Sequence, residues 1–275
     1  LTVLSLAHNR LGARAATALA EALPLQSSLT HIDLTGNQLG LSGARALAEA
    51  LLAAPTSALT TLSLEGAPLP VRQLRGSDAT RALKLDRRGL GPISAVVIAG
   101  LLKANGTLTA LSLIDNAVGS DGASAIVQSL KGTKCATLDL TSNEIGKEGA
   151  KAIGEHLAAL SAHANLTSLN LDGFALPIKK LRGADDTTTK PVDMIDLHKK
   201  RLGPLSGLVI AALVRSNAAL TNLNLSGNTL GVVGASALAE ATAHNTGLQS
   251  VDLRHNRLDA DAKATVRAVA PLAVS

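Results

Sequence analysis

A phrase of eleven residues recurs along the chain: Leu1–Leu11 reads LTVLSLAHNRL, Leu29–Leu39 reads LTHIDLTGNQL and Leu220–Leu230 reads LTNLNLSGNTL. All three fit L-x-x-L-x-L-x-x-N-x-L. The second apolar position of the phrase falls at Leu4, Ile32, Leu62, Leu83, Leu111, Leu138, Leu169, Ile195, Leu223 and Val251. The intervals are 28, 30, 21, 28, 27, 31, 26, 28 and 28 residues. Such a period constrains the fold more than any single residue does, because one unit cannot bury its apolar face without a neighbour. Ten units account for nearly all of the 275 residues.

Within a unit the L-x-L step has the period of an extended strand, so both leucines face one side and the residue between them faces the other. The stretch after the Asn, as in Gly43–Leu52 (GARALAEALL) and Gly149–Leu160 (GAKAIGEHLAAL), places apolar residues at helical spacing among good helix formers. Gly-Ala at its start predicts a helix lying close to the strand layer. The core must be aliphatic: Trp and Tyr are absent and Phe174 is the one Phe, yet 46% of the chain is hydrophobic. Stacked units are therefore predicted to share one core and to pair their strands into one parallel sheet.

The pattern resembles leucine-rich repeats of the ribonuclease-inhibitor-like subtype, which NOD-like receptors and the Ran GTPase-activating protein also carry. The resemblance rests on a period near 28 and on the phrase LGxxGAxALAEAL, which stands at Leu39–Leu51 with variants at Val118–Leu130, Ile145–Leu157 and Leu230–Thr242. It implies an α/β solenoid curved as a horseshoe, with a parallel β-sheet on the concave face and α-helices on the convex face. Asn9, Asn37, Asn116, Asn143, Asn228 and Asn256 hold the Asn of the phrase. In such repeats this side chain forms a structural ladder, bonding backbone groups that the turn would leave unpaired. A single solenoid over residues 1–275 is expected. It opens inside a phrase at Leu1 and shows no polar cap at either end, so it reads as a fragment of a longer chain.

Two regions, near residues 59–79 and 166–191, break the pattern. In the first, the ten residues Pro70–Ala79 (PVRQLRGSDA) are too few for loop, helix and return, and that unit is expected to lack its helix. In the second, the counterpart is Pro177–Pro191 (PIKKLRGADDTTTKP), and the two share LP-[VI]-[RK]-x-LRG. Gly89–Leu101 matches Arg201–Leu213 as well, and both Leu83/Ile195 and Leu111/Leu223 are 112 residues apart, so about four units are duplicated. Pro92 and Pro204 stand where a first helical turn tolerates proline. Ala67, Arg88, Phe174 and Lys200 replace the Asn, which predicts an interrupted ladder with Arg88 and Lys200 reaching outward, because a buried charge needs a partner.

Charge collects in the same regions. Residues 71–90 hold six Lys and Arg and residues 178–203 hold seven, half of the 26 in the chain. Lys84, Asp86, Arg87 and Arg88 of one unit answer Asp196, His198, Lys199, Lys200 and Arg201 of another. These two basic ridges are the candidate site, either a docking surface for an acidic protein partner on the concave face or a solvated face that keeps the units soluble. Nucleic acid is a poorer partner, since single-strand stacking needs aromatics and Phe174 stands alone.

Little else points to chemistry. The seven histidines, with His8 and His255 at one position of two units, show no metal-ligand spacing with cysteine. Cys135 replaces a leucine and reads as a buried apolar residue; a lone cysteine excludes an internal disulfide framework. Gly146-Lys147 is followed by Glu148, which is not a phosphate loop. Asp33, Asp139, Asp196 and Asp252 form a polar row without the pocket that acid–base catalysis needs. The sequons at Asn105, Asn165 and Asn224 read as accidental. No cofactor is expected, and no apolar run has the length of a membrane span. The expected function is a non-enzymatic, cytoplasmic protein-interaction module. The alternatives are a GTPase-activating regulator resembling that of Ran and the ligand-sensing repeat region of a NOD-like receptor.

Overall fold

In the computed structural model, which describes residues 1–159, 165–183 and 192–269, the ten apolar positions marked by the period each lie at the centre of a three-residue strand. The chain divides into two units, Leu1–Glu144 and Ile145–Ser275.

In the first unit β1 (Val3–Ser5), β2 (His31–Asp33) and β3 (Thr61–Ser63) pair in parallel, with Leu4, Ile32 and Leu62 in register. Helices α1 (Ala13–Ala22) and α2 (Gly40–Ala53) follow β1 and β2. After β3 the chain folds back: β4 (Leu69–Pro70) runs antiparallel to β3 and leads into α3 (Val71–Arg75). Parallel pairing then resumes through β5 (Ala82–Lys84), β6 (Ala110–Ser112) and β7 (Thr137–Asp139), with α4 (Pro92–Leu102) and α5 (Gly119–Ser129) between them. Two expectations are thereby corrected. The helix-less unit contains a five-residue helix, and the single parallel sheet is interrupted where β4 takes the edge of β3. Only 21 residues separate Leu62 from Leu83, which leaves no room for a full-length helix.

The second unit repeats the plan. It contains α6 (Lys147–Ala159), β8 (Ser168–Asn170), β9 (Ala175–Pro177), α7 (Ile178–Leu181), β10 (Met194–Asp196), α8 (Pro204–Val214), β11 (Asn222–Asn224), α9 (Gly231–His244), β12 (Ser250–Asp252) and α10 (Ala260–Val269). Here β9 is antiparallel to β8, while β10, β11 and β12 are parallel. Residues 184–191 of the second irregular region, and Leu160 at the end of the helix expected over Gly149–Leu160, lie outside the described residues.

The core is aliphatic. Leu62, Leu85, Leu113, Leu138, Leu169 and Leu225 from the strand layer are fully buried, and truncating one such leucine to alanine costs about 2–5 kcal/mol. Neighbouring helices meet through small residues: a Cβ at Gly43 would lie 2.7 Å from that of Ala16, and one at Gly122 would lie 2.6 Å from that of Ala95. Four residues past each strand centre the backbone turns through positive φ, at Gly36, Gly66, Gly173 and Gly227 but also at His8, Arg87, Asp115, Ser142, Lys199 and His255. A side chain in that conformation costs about 1–2 kcal/mol.

The asparagines of the phrase fasten these turns. The Asn116 amide oxygen accepts the N–H groups of Arg88 and Leu90, both at 3.0 Å, and its NH2 donates to the carbonyls of Leu85 and Leu113. Asn228 makes the same four bonds to Lys200, Leu202, Leu197 and Leu225. Asn37 repeats the pattern in full, while Asn143 and Asn256 each take one N–H and donate to three carbonyls. Asn9 is exposed and donates to Ala7.

At the irregular units carboxylates stand in. Glu65 Oε2 accepts the Ser94 N–H at 2.8 Å in the first turn of α4, whose own N-cap residue is Gly91. Asp172 Oδ2 accepts the N–H groups of Ser206 at 2.7 Å and Gly203 at 3.1 Å at the start of α8. Each acid thus caps the helix of the following unit, a contact worth about 1 kcal/mol and favoured by the positive end of the helix dipole. Gly66 lies directly under the turn of the next unit, where a Cβ would sit 2.1 Å from the Arg88 carbonyl oxygen. Pro92 and Pro204 occupy the first helical turn, as their neighbours in sequence suggest.

Candidate functional site

Lys84 stands on β5 between the buried Leu83 and Leu85, so strand alternation turns it away from the core and leaves it exposed. Asp86 is half-buried and is consumed by local bonding: it accepts the Ser112 hydroxyl and the Ile114 N–H. Arg87 lies exposed at the positive-φ turn position, with Nε 3.2 Å from Asp115 Oδ2. Those two side chains are 79% and 59% exposed, and such a pair contributes little. Arg88 is half-buried rather than fully outward; Asn116 holds its N–H, and its carbonyl accepts the Ala67 N–H at 2.8 Å.

The second ridge is more open. Asp196 is exposed and accepts the His198 N–H at 3.0 Å. His198 is half-buried, with Nδ1 2.9 Å from Ser226 Oγ and 3.0 Å from its carbonyl oxygen. Lys199, Lys200 and Arg201 are all exposed, and none forms an ion pair among the described residues. Lys199 has Gly227 as its neighbour, where the first ridge has Asp115. Lys200, outward as expected, places Nζ 5.6 Å from the centre of the Phe174 ring, a contact worth about 0.5–1 kcal/mol when exposed. Both ridges ride on turns that Asn116 and Asn228 hold, so their backbones are fixed before any partner arrives.

Some of the charge counted in the sequence is not at the surface at all. Arg75 is 6% exposed, and its Nη1 donates to the carbonyls of Ala54 and Pro55 at the end of α2, at 3.0 and 3.2 Å. Its Nε and Nη2 have no partner among the described residues, and burial lowers its pKa. Arg182, its counterpart, is half-buried and shifted the same way for the same reason. Both belong to the framework, and a cation inside a basic run gives no sign of this.

The polar row has a structural use. Asp33, Asp139, Asp196, Asn224 and Asp252 each accept the backbone N–H two residues ahead, at 2.9 to 3.1 Å. The Thr35 backbone N–H is the main reason that the Asp33 carboxyl lies below its ordinary pKa. The Arg254 guanidinium, 2.6 Å away, does the same for Asp252. Cys135 is 1% exposed, and burial pushes its thiol up to about 11.

A second set of asparagines went unread. Asn105 donates to the carbonyls of Gln73 and Leu74 and accepts from Thr107 and Leu108. Asn217 and Asn245 do likewise. The signal is Asn three residues before the first leucine of a phrase, as in ANGTL, SNAAL and HNTGL. Asn105 is 2% exposed, so its sequon offers no site for a glycan.

The Leucine Rich repeat family matches residues 1–20, 26–48, 104–127, 137–154 and 216–239. NACHT, LRR and PYD domains-containing protein 5 of Bos taurus is 30% identical over 186 residues, which is 66% of this chain and 17% of that protein. NACHT, LRR and PYD domains-containing protein 12 of Mus musculus is 27% identical over 169 residues, 60% of this chain and 16% of that protein. The chain is a leucine-rich repeat protein, with repeats of the NOD-like-receptor kind. It spans less than a fifth of the length of either relative. Repeats of this kind serve protein interaction or ligand sensing and are generally non-enzymatic. Among the described residues no helix is long and apolar enough to cross a membrane.

Proposed function

We propose that the strand side, the concave face of the expected horseshoe, binds an acidic protein partner through the two basic ridges without catalysis, in the cytoplasm. The observation that carries this reading is the run Lys199, Lys200 and Arg201: three consecutive exposed cations on a turn fixed by Asn228, with no ion pair among the described residues. Cations held in place and unopposed favour fast, selective docking of negative charge. The test is capture of partners from cytoplasmic extract by the chain and by a variant carrying Lys84→Glu, Arg87→Glu, Lys199→Glu and Arg201→Glu. A captured partner should lose at least tenfold in affinity for the variant; unchanged affinity rules the reading out.

The two relatives support a second reading, in which these repeats are the ligand-sensing region of a NOD-like receptor. Sequencing the full transcript tests it: a nucleotide-binding NACHT domain in the same reading frame supports the idea, and its absence counts against it.

A further inference from the structure

The stacking of repeats continues past the strands into the turns. In the second unit the Lys199 N–H donates to the Ser226 carbonyl at 3.0 Å, and the Gly227 N–H to the Arg254 carbonyl at 2.9 Å. In the first unit the Arg87 N–H donates to the Ile114 carbonyl at 2.9 Å, and the Asp115 N–H to the Thr141 carbonyl at 3.0 Å. Lys199, Gly227 and His255 are therefore equivalent positions on three successive turns, as are Arg87, Asp115 and Ser142. All six have positive φ.

The two sets of turns carry different charge. Residues 87–89, 115–117 and 142–144 hold two cations, Arg87 and Arg88, and two acids, Asp115 and Glu144. Residues 199–201, 227–229 and 255–257 hold four cations, Lys199, Lys200, Arg201 and Arg257, together with His255 and no acid. The backbone beneath is fastened in the same way in both, by Asn116 and Asn143 in the first unit and by Asn228 and Asn256 in the second. The fold therefore does not call for the change in charge.

The added cations stand free. His255 and Arg257 are exposed, and neither side chain is hydrogen-bonded or ion-paired among the described residues. The nearest acid on their own repeat, Asp252, is taken by Arg254 at 2.6 Å. Lys199 Cγ lies 2.8 Å from the place a Cβ at Gly227 would occupy, so the lysine stem leaves its own turn and crosses the middle one. Where the first unit has Asp115 to answer Arg87, the second has a glycine that lets the lysine through. The outer two turns are two strand spacings apart, about 10 Å.

We propose that His255 and Arg257 complete a docking site with Lys199 and Arg201, in which an acidic segment of a protein partner crosses the last three turns. Its carboxylates are shared between the two rows of cations, over the neutral turn of Gly227 and Thr229. This rests on the reading of the strand side as a docking surface for negative charge, and it places the centre of that surface at Gly227. Charge complementarity selects an acidic occupant. A protein segment is favoured over a single-stranded nucleic acid because the latter binds by stacking on aromatic rings, and the three turns carry none.

The test titrates the intact chain with hexaglutamate, and separately with oligo-dT, at low ionic strength. One hexaglutamate should bind per chain. His255→Glu with Arg257→Glu should weaken it at least tenfold without changing the melting temperature, since both side chains are exposed and unpaired. Asp115→Gly with Ser142→His and Glu144→Arg gives the first unit the charges of the second and should raise the number bound from one to two. If Lys199→Glu with Arg201→Glu removes binding and His255→Glu with Arg257→Glu does not, the second ridge binds negative charge alone and the proposal is overturned. If neither pair matters, the ridges fall with it. No binding of hexaglutamate, tighter binding of oligo-dT, or a stoichiometry that stays at one in the triple variant also overturns it.

Discussion

Glu65 and Asp172 cap the next helix in the two irregular regions alike, and Asn105 and Asn217 fasten α3 and α7 with the same bonds. Yet Arg87 has Asp115 beside it, while Lys199 has Gly227, and Asp86 in one ridge answers His198 in the other. The duplication has therefore kept the helix caps and the asparagine bonds to α3 and α7, and has diverged along the ridge, where Asp86, which accepts the Ile114 N–H, gives way to His198. Neither region is covered by the family match, which leaves out residues 49–103 and 155–215.

The comparison breaks most visibly at the buried asparagines. Asn105→Ala and Asn217→Ala each strip partners from several buried backbone groups, and each is expected to cost about 3 kcal/mol by urea denaturation. Costs that differ by more than about 1 kcal/mol would mean that the two frameworks are not equivalent. Next in size are Gly100→Ala and Gly154→Ala, which force a methyl against the Cβ of Ala48 and of Ala212 and should cost about 1–3 kcal/mol. Ala48→Gly should restore the first and Ala212→Gly the second; failure of either rescue places the strain elsewhere.

Glu65→Ala and Asp172→Ala should each remove about 1 kcal/mol of helix capping. The smallest effect expected is at Asp252. Its pKa is lowered in the folded chain, so the stability it contributes is present above the ordinary carboxylate range and is lost as pH falls through the lowered value. Asp252→Asn should flatten part of the acid decline of a urea-midpoint profile by under about 1 kcal/mol, and an unaltered profile would contradict that origin.

How much of this was legible depended on the range of each interaction. The strand centres and the Asn of the phrase were plain because strand alternation and turn bonding act within a few residues. The antiparallel strands β4 and β9 were hidden, since LP and ALP carry no period of their own. The caps were hidden because Glu65 and Asp172 bond residues 29 and 34 positions ahead. Arg75 was hidden for a physical reason: in a run with Arg72, Arg81 and Lys84 nothing local tells the guanidinium that folds back to the end of α2 from the others. The non-glycine turns at Arg87 and Lys199 were equally hidden, since neither residue type marks a positive φ.

The most direct test of the account sets the two ridges against each other. A captured partner's affinity is measured for the chain, for Lys84→Glu with Arg87→Glu, and for Lys199→Glu with Arg201→Glu. The second pair should cost at least tenfold and more than the first, since Asp115 already partly neutralises Arg87 while Lys199 has no ion pair among the described residues. Equal losses, or a larger loss from the first pair, would contradict it.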